Sequence, residues 1–153
     1  MDVVLKEIEP MTVAFVRHVG PYAECADAWK TLCANPDLCK CFGPNTQFLG
    51  LCYDDPDITE PDKIRYDACA SVPEGTELSG EVNVQQVDGG KFAVYVHKGS
   101  YDGLHDIYRR LYGEWLPESG YETRSAPSME VYLTNPEDTP PEENVTEIRI
   151  PLA

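Results

Sequence analysis

No stretch of this chain approaches the roughly 18 consecutive apolar residues of a membrane-spanning helix. The opening residues, Met1-Asp2-Val3-Val4-Leu5-Lys6-Glu7, lack the basic start and long apolar run of a secretory signal. The cytoplasm is the expected compartment. Basic residues are scarce: 12 Lys and Arg stand against 27 Asp and Glu, a formal charge of −15. Such a charge repels nucleic-acid phosphates and argues against direct nucleic acid binding. Three histidines without clustered carboxylates make a poor metal site, so no metal and no cofactor is expected. Neither a Ser-His-Asp or Cys-His spacing nor a glycine-rich phosphate loop is present. Cysteine is missing from the second half altogether. Cys25, Cys33, Cys39, Cys41, Cys52 and Cys69 all lie in the first, at spacings that match no zinc knuckle. Reduced, mainly structural thiols are expected, with Cys39-Lys40-Cys41 as the lesser, redox alternative.

What the chain does contain is an internal repeat. Val13-Ala14-Phe15-Val16-Arg17-His18-Val19-Gly20-Pro21-Tyr22 aligns with Phe92-Ala93-Val94-Tyr95-Val96-His97-Lys98-Gly99-Ser100-Tyr101, residue 13 falling on residue 92, an offset of 79. The same offset brings Val3 onto Val82, Ile8 onto Val87, Leu32 onto Leu111 and Tyr53 onto Tyr132. Each copy begins with two β-rich runs joined by a turn, Glu9-Pro10 in the first and Asp88-Gly89-Gly90 in the second. A helical pattern follows: Tyr22, Cys25, Ala26, Trp29, Leu32 and Cys33 in one copy, Leu104, Ile107, Tyr108, Leu111, Tyr112 and Trp115 in the other. Stops are expected soon after, near Asn35-Pro36 and Leu116-Pro117. Two further strands complete each copy. The fold class is therefore α+β: a single domain over residues 1–153, made of tandem duplicated ββαββ units of about 1–75 and 80–153. Pseudo-twofold symmetry would leave a central cleft between their antiparallel sheets.

One residue breaks the alternation of Met129-Glu130-Val131-Tyr132-Leu133. Strand side chains alternate between faces, so Met129, Val131 and Leu133 point one way and Glu130 and Tyr132 the other. At the offset of 79, Glu130 falls on Leu51, the residue that packing alone would choose. An acid that departs from the repeat beside a shared tyrosine pair, Tyr53 and Tyr132, points to a ligand rather than to the fold. Aromatic candidates to line the same site are Tyr66, Tyr101, Tyr112, Trp115 and Tyr132. His18 and His97 each precede a glycine by two residues and a tyrosine by four, and read as scaffold, their rings bonding local backbone.

These features together resemble the GyrI-like small-molecule-binding domains, related to the effector-binding domains of AraC-type and MerR-type multidrug regulators. The resemblance rests on Val16 to Tyr22, Tyr53-Asp54-Asp55-Pro56, Arg65-Tyr66-Asp67, His97 to Tyr101, Trp115 to Tyr121, Glu130-Val131-Tyr132 and Ile148 to Leu152. It implies an aromatic cleft whose acidic residue matches Glu130. With no room for a helix-turn-helix segment, a stand-alone form is expected. Binding of an amphipathic, cationic aromatic molecule follows, for drug sensing or sequestration, with Glu130 as counter-charge and Trp115, Tyr66, Tyr101, Tyr112 and Tyr132 as walls. The resemblance also opens two alternatives. One is a cyclopropanoid hydrolase acting on electrophilic antibiotics, with Glu130 as general base and Tyr132 or Tyr101 donating to the developing oxyanion. The other is an interaction protein whose acidic surface meets a partner such as a topoisomerase.

Overall fold

The hairpins expected at the start of each repeat do not form. In the computed structural model, which describes all of residues 1–153, strand β1 (Val4–Ile8) pairs antiparallel with β6 (Gly90–Lys98), Val4 opposite Val94. Strand β5 (Asn83–Val87) pairs with β2 (Met11–Val19), Met11 opposite Val87. Glu9-Pro10 explains the first departure. A two-residue hairpin turn needs positive φ at one or both central positions, and proline is fixed near −65°. The chain therefore runs on, and the edge of β2 that β1 would have covered is taken by β5.

The molecule divides accordingly into two compact units, Glu9–Gly89 and Met1–Ile8 with Gly90–Ala153. The first has strand order β3-β4-β2-β5, with β3 at Phe48–Cys52 and β4 at Arg65–Ser71. The second has order β1-β6-β8-β7, with β7 at Ser128–Tyr132 and β8 at Val145–Pro151. Sequence repeat and compact unit are different objects, because each repeat gives its first strand to the unit built mainly from the other.

Helix α1 (Ala26–Ala34) covers the first unit's sheet through Ala28 and Leu32, which join Ala14, Ala68, Ala70 and Tyr66 in one apolar cluster. It ends as expected at Asn35, whose side chain accepts from the Leu38 amide at 3.0 Å and starts the short α2 (Pro36–Cys39). In the second unit α3 (Leu104–Arg110) buries Leu104 and Ile107 against Ala93, Ile148 and Ile150. Its continuation differs from expectation: the chain passes through a π-helical stretch, Leu111–Trp115, into α4 (Leu116–Ser119), ending at Gly120. Pro117 does not stop it. Proline falls where the π-helical stretch, with the Leu116 N–H donating to the Leu111 carbonyl, has already left the α-helical hydrogen-bond pattern. No helix is long and apolar enough to cross a membrane.

The rings of His18 and His97 do the scaffold work expected of them. The Nε2 atoms lie 2.9 Å from the Pro21 carbonyl oxygen and 3.2 Å from that of Ser100. Gly20 and Gly99, at φ 141° and 146°, make the turn between ring and carbonyl, a backbone region that side chains avoid. None of the six cysteines forms a disulfide; Cys33 and Cys39 are exposed and Cys69 is buried, which pushes its thiol pKa up.

Backbone pairing corrects the repeat alignment by one residue. Through β2 and β6 the offset is 79, but the Tyr53 amide donates to Arg65 as the Leu133 amide does to Val145, an offset of 80. The added residue lies between Leu111 and Ser128, a connection that holds the π-helical stretch, whose wider turn takes one residue more than an α-turn. Gly50, not Leu51, therefore corresponds to Glu130, and Cys52, not Tyr53, to Tyr132. Gly50 is glycine because the ring of Tyr66 lies on it, and a Cβ there would overlap the phenol. We expect Gly50→Ala to lower stability by about 1–3 kcal/mol, as overpacking does. Urea unfolding should show a lower midpoint at unchanged slope, and an unchanged midpoint would contradict the packing.

Candidate functional site

Strand β7 sets the site because its pairing with β8 fixes which way each side chain points. Glu130 lies opposite Ile148 and Tyr132 opposite Thr146. Ile148 belongs to the apolar cluster under α3, so Glu130 and Tyr132 face the helix, while Met129 and Val131 are buried on the other side. Glu130 is only 9% exposed. A carboxylate so placed needs donors, since burying an ionised acid without partners costs several kcal/mol. Two phenols supply them. The Tyr108 hydroxyl donates to Oε2 at 2.8 Å and the Tyr132 hydroxyl to Oε1 at 2.9 Å. Tyr108 comes from α3 and Tyr132 from the strand itself, so helix and sheet hold the acid jointly.

The surrounding rings extend the arrangement. Tyr101, on the turn after β6, meets Tyr132 edge to face with centroids 5.7 Å apart. Burial raises its phenol pKa, and the nearby Glu130 charge raises it further. Tyr112 stacks on Tyr108 at 6.4 Å and is 41% exposed. Trp115 packs against the second unit's core and stacks on Tyr121 at 6.3 Å. Of the residues singled out from sequence, the structure brings Glu130, Tyr132 and Tyr101 together, with Tyr112 joined to them through Tyr108. Trp115 lies in the same unit's helix-side cluster. Tyr66 belongs to the other unit, buried in its core, and its hydroxyl accepts from Trp29 Nε1 at 3.3 Å.

Two contributors escaped sequence reasoning. Tyr108 reads there as one more apolar helix position. Its signal is that it falls on Trp29 at the offset of 79, an indole in one repeat and a phenol in the other. Thr146 is fully buried on the helix-facing side, and its Oγ1 finds no hydrogen-bond partner. A buried hydroxyl left so costs about 1–3 kcal/mol. No sequence pattern marks it.

The first unit carries a buried acid of another kind. Asp67, wholly buried, accepts from Arg17 Nε at 2.8 Å and Nη2 at 3.0 Å, from the Tyr53 hydroxyl at 2.7 Å and from Gln85 at 2.9 Å. Burial alone would raise its pKa, but hydrogen bonds from Arg17, Gln85 and Tyr53, with the Arg17 charge, leave it lowered. Tyr53 is pushed up to about 12, by burial first and then by its bond to Asp67. Arg17 and Arg65 lie over the Tyr53 ring at 4.9 and 5.3 Å, and Arg65 is tied to Asp54. Every oxygen of Asp67 is already matched within the unit, so this acid serves the fold.

A family model for the GyrI-like small-molecule-binding domain matches residues 1–153. The chain belongs to this family. Among its relatives, a DNA gyrase inhibitor from Yersinia enterocolitica is 30% identical over 137 residues, 84% of each chain. Among solved structures, the EcmrR C-terminal domain superposes with a TM-score of 0.81 over 99% of this chain and 97% of its own, at 22% identity. SAV2435, solved bound to tetraphenylphosphonium, superposes at 0.70 over 100% and 94%, at 17% identity.

Two measurements check the electrostatics. Besides Tyr53, ultraviolet titration should find a tyrosine ionising above the ordinary phenol range that is lost in Tyr101→Phe, and Glu130→Gln should bring its midpoint down; no movement would remove the Glu130 contribution. The lowered pKa of Asp67 makes its stabilisation present above its unfolded value, about 3.9, and lost as pH falls through the folded value. Urea midpoints across the acid range should therefore fall steeply in the wild type and more shallowly in Asp67→Asn, which should begin several kcal/mol less stable at neutral pH.

Proposed function

We propose that this GyrI-like chain binds amphipathic, cationic aromatic small molecules, with Glu130 as the counter-charge. The observation that carries the reading is an almost buried carboxylate held by two phenols and bordered by a third ring. Phenol donors on both oxygens favour the ionised acid, since a protonated one would itself have to donate. A fixed negative charge beside the electron-rich faces of Tyr101, Tyr108 and Tyr132 attracts a lipophilic cation more than a neutral molecule of the same shape. The tetraphenylphosphonium bound to SAV2435 is of that chemical class. The reading treats the two units as copies of one ββαββ unit, supported by their matched turns and strand pairing.

The hydrolase alternative is less well served. A general base must reach a water proton, and both Glu130 oxygens already accept from phenols, which lowers their readiness to take another. Calorimetric titration with tetraphenylphosphonium, and with neutral triphenylphosphine oxide as control, tests the reading. Glu130→Gln should weaken the cation about tenfold or more, about 1.4 kcal/mol, while leaving the neutral compound nearly unchanged. Equal affinity of wild type and Glu130→Gln for the cation would remove Glu130 as counter-charge.

A further inference from the structure

The two units fill corresponding positions with different side chains. In the first, Gly50 leaves room for the Tyr66 ring, which reaches diagonally from β4 across to β3, and Trp29 donates to its hydroxyl. In the second, Glu130 stands at the place of Gly50, Thr146 at that of Tyr66 and Tyr108 at that of Trp29. Glycine with tyrosine and glutamate with threonine sum to nearly the same volume, so the exchange is one that a core accepts. It puts a carboxylate oxygen where the first unit has a phenol oxygen, each receiving the hydrogen bond of its helix.

Thr146 is the other member of the exchange. It lies directly across from Tyr132 and diagonal to Glu130, the diagonal along which Tyr66 leans toward Gly50. Cross-strand neighbours of this kind are within side-chain reach. Its hydroxyl is fully buried and unpartnered, on the same face of the sheet as the carboxylate and one strand over, with an unused acceptor.

We propose that Thr146 is a specificity-determining residue of the Glu130 site, its hydroxyl accepting a hydrogen bond from an N–H of the bound cation. The preferred ligand class is then the aryl-substituted protonated amine, which carries an N–H beside its charge, rather than a fully substituted ammonium or phosphonium. The charge meets Glu130 and the N–H meets Thr146, so the residue separates two ligands that the carboxylate alone treats alike. This rests on the cation-binding reading above and adds a requirement that the counter-charge does not impose.

The test uses the whole chain and two cations of equal charge, dibenzylmethylammonium with one N–H and dibenzyldimethylammonium with none, titrated by calorimetry at neutral pH. Wild type should bind the first more tightly. Thr146→Val keeps the side-chain shape and removes the acceptor. It should weaken dibenzylmethylammonium about tenfold, the worth of one such bond, and leave dibenzyldimethylammonium within about twofold. Thr146→Ser keeps the hydroxyl and should restore the difference, which separates hydrogen bonding from packing and covers any loss of folding in the valine variant. Equal losses for both cations in Thr146→Val, or no loss for either, would overturn the proposal while leaving Glu130 as counter-charge. If wild type binds neither cation, the counter-charge reading fails and this one fails with it.

Discussion

The pair of phenol hydroxyls on Glu130 is the interaction on which the second unit's chemistry depends. An acid on the helix-facing side of a sheet would ordinarily be expelled or neutralised. Here α3 and β7 each contribute one donor, so the acid keeps both only while helix and sheet hold their relative position. The functional group and the packing of the unit are thus coupled. A change that shifts α3 on the sheet would loosen the acid, and loss of the acid would leave two half-buried hydroxyls to find other partners.

The two buried acids show how context decides whether a carboxylate is structural. Asp67 has a guanidinium bonded in two places, with a phenol and an amide besides. Its charge is cancelled where it sits. Glu130 accepts from two neutral phenols, which bring no opposing charge. Burial alone would not distinguish them; the sign and number of the donors does.

Much of this was legible in the chain. Alternation in residues 129–133 placed Glu130 correctly on the face opposite Met129 and Val131, and the His-x-Gly-x-Tyr repeat located both turns where a ring meets backbone. The α+β class and the helix positions followed from apolar spacing. Register was not legible to the residue, because one added position between Leu111 and Ser128 leaves no mark in composition and moves every later correspondence by one. Leu51 looked like the counterpart of Glu130, and Gly50 is. Strand exchange was hidden for a related reason: a β-rich run declares that it will pair, not with which partner. Tyr108 was concealed by its amphipathic nature, since a phenol can pack its ring in a core and aim its oxygen at an acid.

The exchange of first strands reaches beyond the site. Residues 4 and 94 must meet before β6 has its outer neighbour, which closes a loop of about 90 residues and places the pairing among the slower, non-local events of folding. β5 must likewise return to β2, and it brings Gln85 to Asp67 when it does. A gene cut at the junction between the repeats would yield two pieces, each lacking a strand that its sheet requires. Either piece could complete its sheet only by borrowing that strand from another chain.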